Sequence, residues 1–308
     1  METKKPFSLY DFLGYFAPGA LFLYILLLFL KYYNESLFKC VLNINFGKVE
    51  LFVAFIIVAY VIGHALNYIS SITIEKYSNW MYGFPSYFLL FGTKKHYFKK
   101  LTYSENDLEL DLSECDLADN FKENYSIRNK SKSKKRMFFS WFFSGLWRLM
   151  LLIFLLPIFF YDCIVGRIMK LKLFYTNQLD IVLSNAIIKK IQKLFRKLDI
   201  DVLIGTDFFR VISHYYYENY EKHQSKYDNY VALSGLTRTL SLIFCLTTWL
   251  FTFIIIFTNM FCLQLHLSIL IISFLSGISY IFFMAFMKFY RKYTLEGYMC
   301  LLVDKDFN

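Results

Sequence analysis

The chain has 308 residues, of which 57% are hydrophobic, 21% aromatic and only 19% charged, and it carries a formal net charge of +10. Soluble domains sit nearer a quarter charged, and the apolar excess is concentrated, because residues 239–287 hold no Asp, Glu, Lys or Arg at all. That run excludes an ordinary soluble core and has room for two adjacent membrane helices, each needing about 20 apolar residues to cross the hydrocarbon.

The first apolar run, Phe12–Leu30, follows a basic start and is bracketed by Asp11 and Lys31. It is too long for a secretory h-region and no small-x-small site follows it, so it is expected to stay as span 1. Span 2 covers about Leu51–Ile74, between Glu50 and Glu75. Its later half reads "GHALNYISS", in which His64, Asn67, Ser70 and Ser71 recur at three- and four-residue spacing. A polar stripe on a membrane helix faces protein or a water-filled cavity. It therefore reads as a pore or gate lining, with hydrogen bonding between helices as the plainer alternative.

Residues 76–237 read as a basic, mostly helical cytoplasmic domain. An acid-rich stretch, 105–123, precedes "RNKSKSKKR". Lys130, Lys132, Lys134, Lys135 and Arg136 stand directly before an apolar aromatic segment, a placement that suits anionic lipid better than nucleic acid. That segment, Met137–Tyr161, is long enough to cross a membrane, but Arg148 lies at its middle. An arginine at the bilayer centre costs about 2.5 kcal/mol or more. A fifth span would also carry the basic residues 167–226 outside and invert the end of the chain. An interfacial or re-entrant segment is expected instead, with Arg148 reaching to lipid phosphates.

Leu179–Ile200 is an expected amphipathic helix, with Leu183, Ile187, Ile191, Leu194 and Leu198 on one side and Lys189, Lys190, Lys193, Arg196 and Lys197 on the other. It suits either a membrane surface or the wall of a domain. A further helix starts at Thr206, carries the aromatic stripe Phe208, Tyr215, Tyr216 and Tyr220, and is expected to run directly into span 3. Spans 3 and 4, about 239–258 and 267–287, form a hairpin around the polar dip Asn259–His266, and a cytoplasmic tail follows. Thr247, Thr248 and Thr252 on span 3, with Ser273, Ser276, Gly277 and Tyr280 on span 4, are small or polar packing positions.

The Lys/Arg bias of the loops places both termini and the 76–237 domain in the cytoplasm, since the outer loops carry only Lys39 and Lys48. Cys40 and Cys262 then share the outer side, where a disulfide is permitted, although a submerged thiol is the commoner state of a lone cysteine. The fold class expected is an all-α integral membrane protein with four transmembrane helices in a bacterial inner membrane.

Motifs for catalysis are missing. "FGTKK" at 91–95 lacks the glycine and the Lys-Ser/Thr pair of a phosphate loop, and there is no nucleophile elbow, HExxH or paired CxxC. His214, Glu218 and Glu221 share a helix face but amount to half a metal site and read as surface residues. No cofactor, metal or nucleic-acid partner is expected. The pattern points to a non-enzymatic, homo-oligomeric, channel-like or membrane-perturbing effector, controlled by a protein or small-molecule signal through its cytoplasmic domain. Abundant Phe, Tyr, Ile, Lys and Asn imply an AT-rich gene, for which antiviral defence is a fitting setting. A membrane scaffold and an enzyme acting on lipid or envelope substrates are the rival readings.

Overall fold

The structure, a computed structural model, describes residues 11–33, 49–91, 145–169, 177–198, 208–257 and 265–304. Among them every regular element is helical, and four helices are long and apolar enough to cross a membrane.

A π-helical turn, Phe12–Phe16, opens into α1 (Ala17–Tyr33). α2 (Val49–Ser70) passes through a second π-helical turn, Ser71–Glu75, into α3 (Lys76–Met81). The second span therefore does not stop at Ile74 but stays helical to Met81. Gly83, at φ 82°, ends it, its N–H capping the Asn79 carbonyl; a glycine meets no Cβ penalty in that left-handed region. Pro85 then starts α4 (Pro85–Phe91), where its missing N–H costs least.

α1 and α2 touch backbone to backbone. A Cβ built on Gly19 would strike the Ala59 carbonyl, and one on Gly63 would strike the Tyr15 carbonyl. Membrane helices gain little hydrophobic drive from meeting each other, so close approach over small residues is what holds such a pair.

The segment α5 (Gly145–Phe154) and α6 (Leu156–Tyr161) is bent by 82° at Leu155. Pro157 stands in the first turn of α6 and has no N–H to offer back along the chain, the usual cause of so sharp a kink. A π-helical turn, Asp162–Ile168, follows. α7 (Ile181–Lys197), α8 (Phe208–Asn219), α9 (Glu221–Phe257) and α10 (Leu265–Val303) complete the described chain.

α9 and α10 pack side by side in antiparallel register. Ser241 and Ser279 exchange hydroxyl-to-carbonyl bonds of 3.0 and 2.7 Å, and Lys226 meets Glu296 at 2.7 Å. At about 1.5 Å per residue both helices are some 55 Å long, against a hydrocarbon thickness of about 30 Å. The excess length carries a second core. Phe88, Leu89 and Leu90 of α4, Ile187, Leu194 and Phe195 of α7, Ile212 of α8, and Tyr298 and Leu301 of α10 are buried together there. Residues 288–303 thus continue the helix on which this core is assembled.

α7 resolves the two readings of its basic face. Ile187, Ile191 and Leu194 are buried against the second core, while Lys189, Lys193, Arg196 and Lys197 are exposed. Lys190 donates to the Asp304 carbonyl at 2.7 Å and ties the helix to the end of α10. The helix expected from Thr206 onward is in fact two, because the helix breaks at Tyr220 and turns back, so that Tyr216 packs against Tyr227 with ring centroids 4.7 Å apart. Thr206, Cys40, Cys262, the 105–136 charge segments and 137–144 lie outside the described residues.

Candidate functional site: a broken helix beside an arginine clamp

The polar stripe of α2 divides into parts with different surroundings. Arg238, in α9, donates through Nη2 to Asn67 Oδ1 at 2.8 Å and through Nε to Ser70 Oγ at 3.1 Å, and pairs through Nη1 with the Glu75 carboxylate. Thr239 Oγ1 lies 3.4 Å from both Asn67 Oδ1 and Ser70 Oγ. Arg238 and Glu75 keep only 15% and 32% of their side-chain surface exposed. A planar guanidinium with a fixed fork of donors can hold several partners at once, which a lysine cannot. Asn67 and Ser70 are thus joined to α9 by hydrogen bonds. His64 is exposed and stacks on Tyr15 at 3.7 Å, with Tyr60 edge-on at 4.6 Å. Ser71 returns its hydroxyl to the Tyr68 carbonyl of its own helix at 2.7 Å. His64 and Ser71 therefore do not join the cluster that Asn67 and Ser70 form.

The broken helix α5–α6 lies against α10 and against α9, further along the α9 stripe that carries Arg238. Three anchors fix its course. At its start the Arg148 guanidinium sits 5.6 Å from the ring centre of Trp80, in α3. Arg148 thus has an aromatic partner within the protein. At the bend, the Phe154 carbonyl accepts from Trp249 Nε1 at 2.8 Å and from Cys245 Sγ at 3.4 Å. Trp249 stands about 16 Å of helix beyond Arg238, near the middle of the expected span 239–258. At the end, Asp162 returns to the α3 region, where Tyr77 donates to Oδ2 at 2.9 Å and Tyr82 donates to Oδ1. Arg148 and Asp162 thus meet the same stretch, Tyr77–Tyr82, while the bend between them reaches deep along α9. Both limbs of the segment therefore contact the same stretch of the chain around α3.

The chemistry of this segment follows from where its polar groups fall. A kinked backbone exposes carbonyls that no helix turn satisfies, and inside an apolar bundle an unpaired one costs about 1–3 kcal/mol; Trp249 and Cys245 remove that penalty at Phe154. Asp162 is only 1% exposed, and a buried carboxylate persists when hydrogen-bonded. Gly166 lies one turn on, and a Cβ there would crowd Asp162 Oδ1 and approach the hydroxyls of Tyr82 and Tyr280. Leu151, Leu155 and Ile158 fill the space between the spans with Leu242, Phe283 and Met287. On the outward flank, Tyr161 donates to the Ser273 carbonyl at 2.9 Å, beside an open cavity of about 530 Å³ along Ser273, Gly277 and Ile281.

Sequence reasoning missed Asp162, Pro157 and the role of Arg238. Asp162 falls directly after the apolar segment and reads as its polar bracket. Pro157 was the available signal for a break. Of the other small-residue positions, Ser276 is buried between helices, and Thr247, Thr248 and Thr252 return their hydroxyls to carbonyls one turn back on α9. His214 and Glu218 are exposed, in keeping with the surface reading.

The class these features define is a multi-pass helical membrane protein with a broken helix packed among its spans. No protein-family model, curated protein or solved structure matches the chain.

Proposed function

We propose that this is a non-enzymatic, oligomeric, channel-like protein of a bacterial inner membrane, with its termini and second core in the cytoplasm, and that the broken helix α5–α6 is the part that acts on the membrane. The observation that carries the reading is the 82° break held at Phe154, with a buried carboxylate one limb further on at Asp162. Non-helical backbone at membrane depth is tolerated only where protein or a water-filled cavity surrounds it. An ionisable group kept inside such a structure, at an energetic cost, marks an ion or proton path by default. The carboxylate favours cations. In the closed state the Trp249–Phe154 bond acts as the latch, and a signal arriving at the second core, which is built on the extensions of α9 and α10, reaches the latch through α9 itself.

The test is cation flux into liposomes containing the full chain. Trp249→Phe, which lacks the latch donor, should conduct more than the wild type, and Asp162→Asn in the Trp249→Phe background should lower that flux at least tenfold. Flux equal to that of empty liposomes for both wild type and Trp249→Phe would refute the proposal and leave a scaffold as the better reading.

A further inference from the structure

At the far end of α9 and α10, away from the broken helix, three metal-ligating side chains converge. His223 stands in the first turn of α9, and Glu296 and Cys300 stand on one face of α10, a turn apart. The antiparallel register brings them together, so that a His nitrogen, a carboxylate oxygen and a thiol sulfur all lie within 4.8 Å of one another. We infer that His223, Glu296 and Cys300 form a binding site for a divalent cation of the zinc type, additional to the membrane activity proposed above and independent of it.

The donor set selects the class of ion. A thiolate with an imidazole suits zinc and its neighbours and disfavours magnesium and calcium, which take oxygen ligands. In a tetrahedral zinc site, bonds of about 2.0–2.3 Å put ligand atoms roughly 3.3–3.8 Å apart. The cluster closes to that spacing by a movement of about 1 Å, and exposed His223 is the ligand free to make it. Three protein ligands leave the fourth position to water.

The surroundings supply a second shell and a competitor. Cys300 is buried with Tyr216 and Tyr227, and Tyr220 and Tyr293 pack around them. Tyr216 packs directly beside Cys300, where its phenol O–H can donate to the sulfur. Lys226 pairs with Glu296 at 2.7 Å, yet its side chain is 56% exposed and can swing into water when a cation arrives. The ion would clip the first turn of α9 to the end of α10, at the second core. Sequence spacing does not reveal such a site, because its ligands come from two helices far apart in the chain.

The experiment is a titration of the tag-free full chain in detergent with cobalt(II), followed by displacement with zinc(II). The wild type should bind one ion with a thiolate-to-cobalt charge-transfer band. Cys300→Ser should lose that band, and His223→Ala, at an exposed position that folding does not need, should bind at least tenfold more weakly. Lys226→Gln should bind more tightly than wild type, because it removes a competing cation, whereas a merely adventitious site would not respond in that direction. His214→Ala, outside the cluster, should bind as wild type. Absence of a thiolate band in the wild type, or equal binding by wild type, His223→Ala and Cys300→Ser, would overturn the assignment.

Discussion

Replacing Arg238 with Ala removes three hydrogen bonds at once and leaves Glu75, Asn67 and Ser70 without their shared donor. A hydrogen bond to a charged group contributes about 1.5–3 kcal/mol when buried. Glu75 is a third exposed and Arg238 about a seventh, so water screens the ion pair and the charged bond falls to the lower part of that range. With the two neutral partners added at about 0.5–1.5 kcal/mol each, Arg238→Ala should destabilise the protein by roughly 2.5–5 kcal/mol. Arg238→Lys should recover only part of this, because a point charge cannot hold three partners. The assay is reversible unfolding in mixed detergent micelles, with Glu75→Gln and the double variant completing a cycle. We expect a coupling of about 1–2 kcal/mol between Arg238 and Glu75. A loss below about 0.5 kcal/mol for Arg238→Ala, or a coupling near zero, would refute the clamp as a structural link between α2 and α9.

Further outcomes follow from other contacts. Gly63→Leu should force the π-helical turn before α1 away from α2, because even a Cβ there meets the Tyr15 carbonyl; a loss of about 1–3 kcal/mol in the same unfolding assay is expected. Ile187→Ala, at a fully buried position of the second core, should cost about 2–5 kcal/mol, whereas Lys189→Ala on the exposed face should stay within about 0.5 kcal/mol of wild type. Tyr82→Phe and Tyr77→Phe each take one donor from buried Asp162 and should each destabilise by about 1–3 kcal/mol, while Asp162→Asn in a Tyr77→Phe background should lose less than the two changes summed, read by a double-variant cycle.

The four spans were legible because a membrane helix is a local property: about 20 apolar residues between charged brackets identify it without knowledge of its neighbours. α7 was legible for the same reason, since its buried residues recur at helical period. What stayed hidden was what each face meets. Asn67 and Ser70 look like a lining until Arg238, distant in sequence, supplies their donors. Residues 288–303 look like a tail because their charges suggest solvent, yet Tyr293, Tyr298 and Leu301 pack the second core. The break at Tyr220 was missed because no proline or glycine marks it. The break at Leu155 was marked, by Pro157, but an apolar window weighs composition and not backbone donors. The contact between the arginine of that segment and Trp80 could be found only in three dimensions.

The account rests most directly on the broken helix entering and leaving at one end of the bundle. Single cysteines placed at Gly145 and at Met169, in a chain with its native cysteines replaced, can be tested with an impermeant thiol reagent in vesicles of both orientations. We expect both positions to label only when the cytoplasmic face is outward. Labelling of Gly145 and Met169 from opposite faces would make residues 145–166 a fifth crossing and would contradict the account.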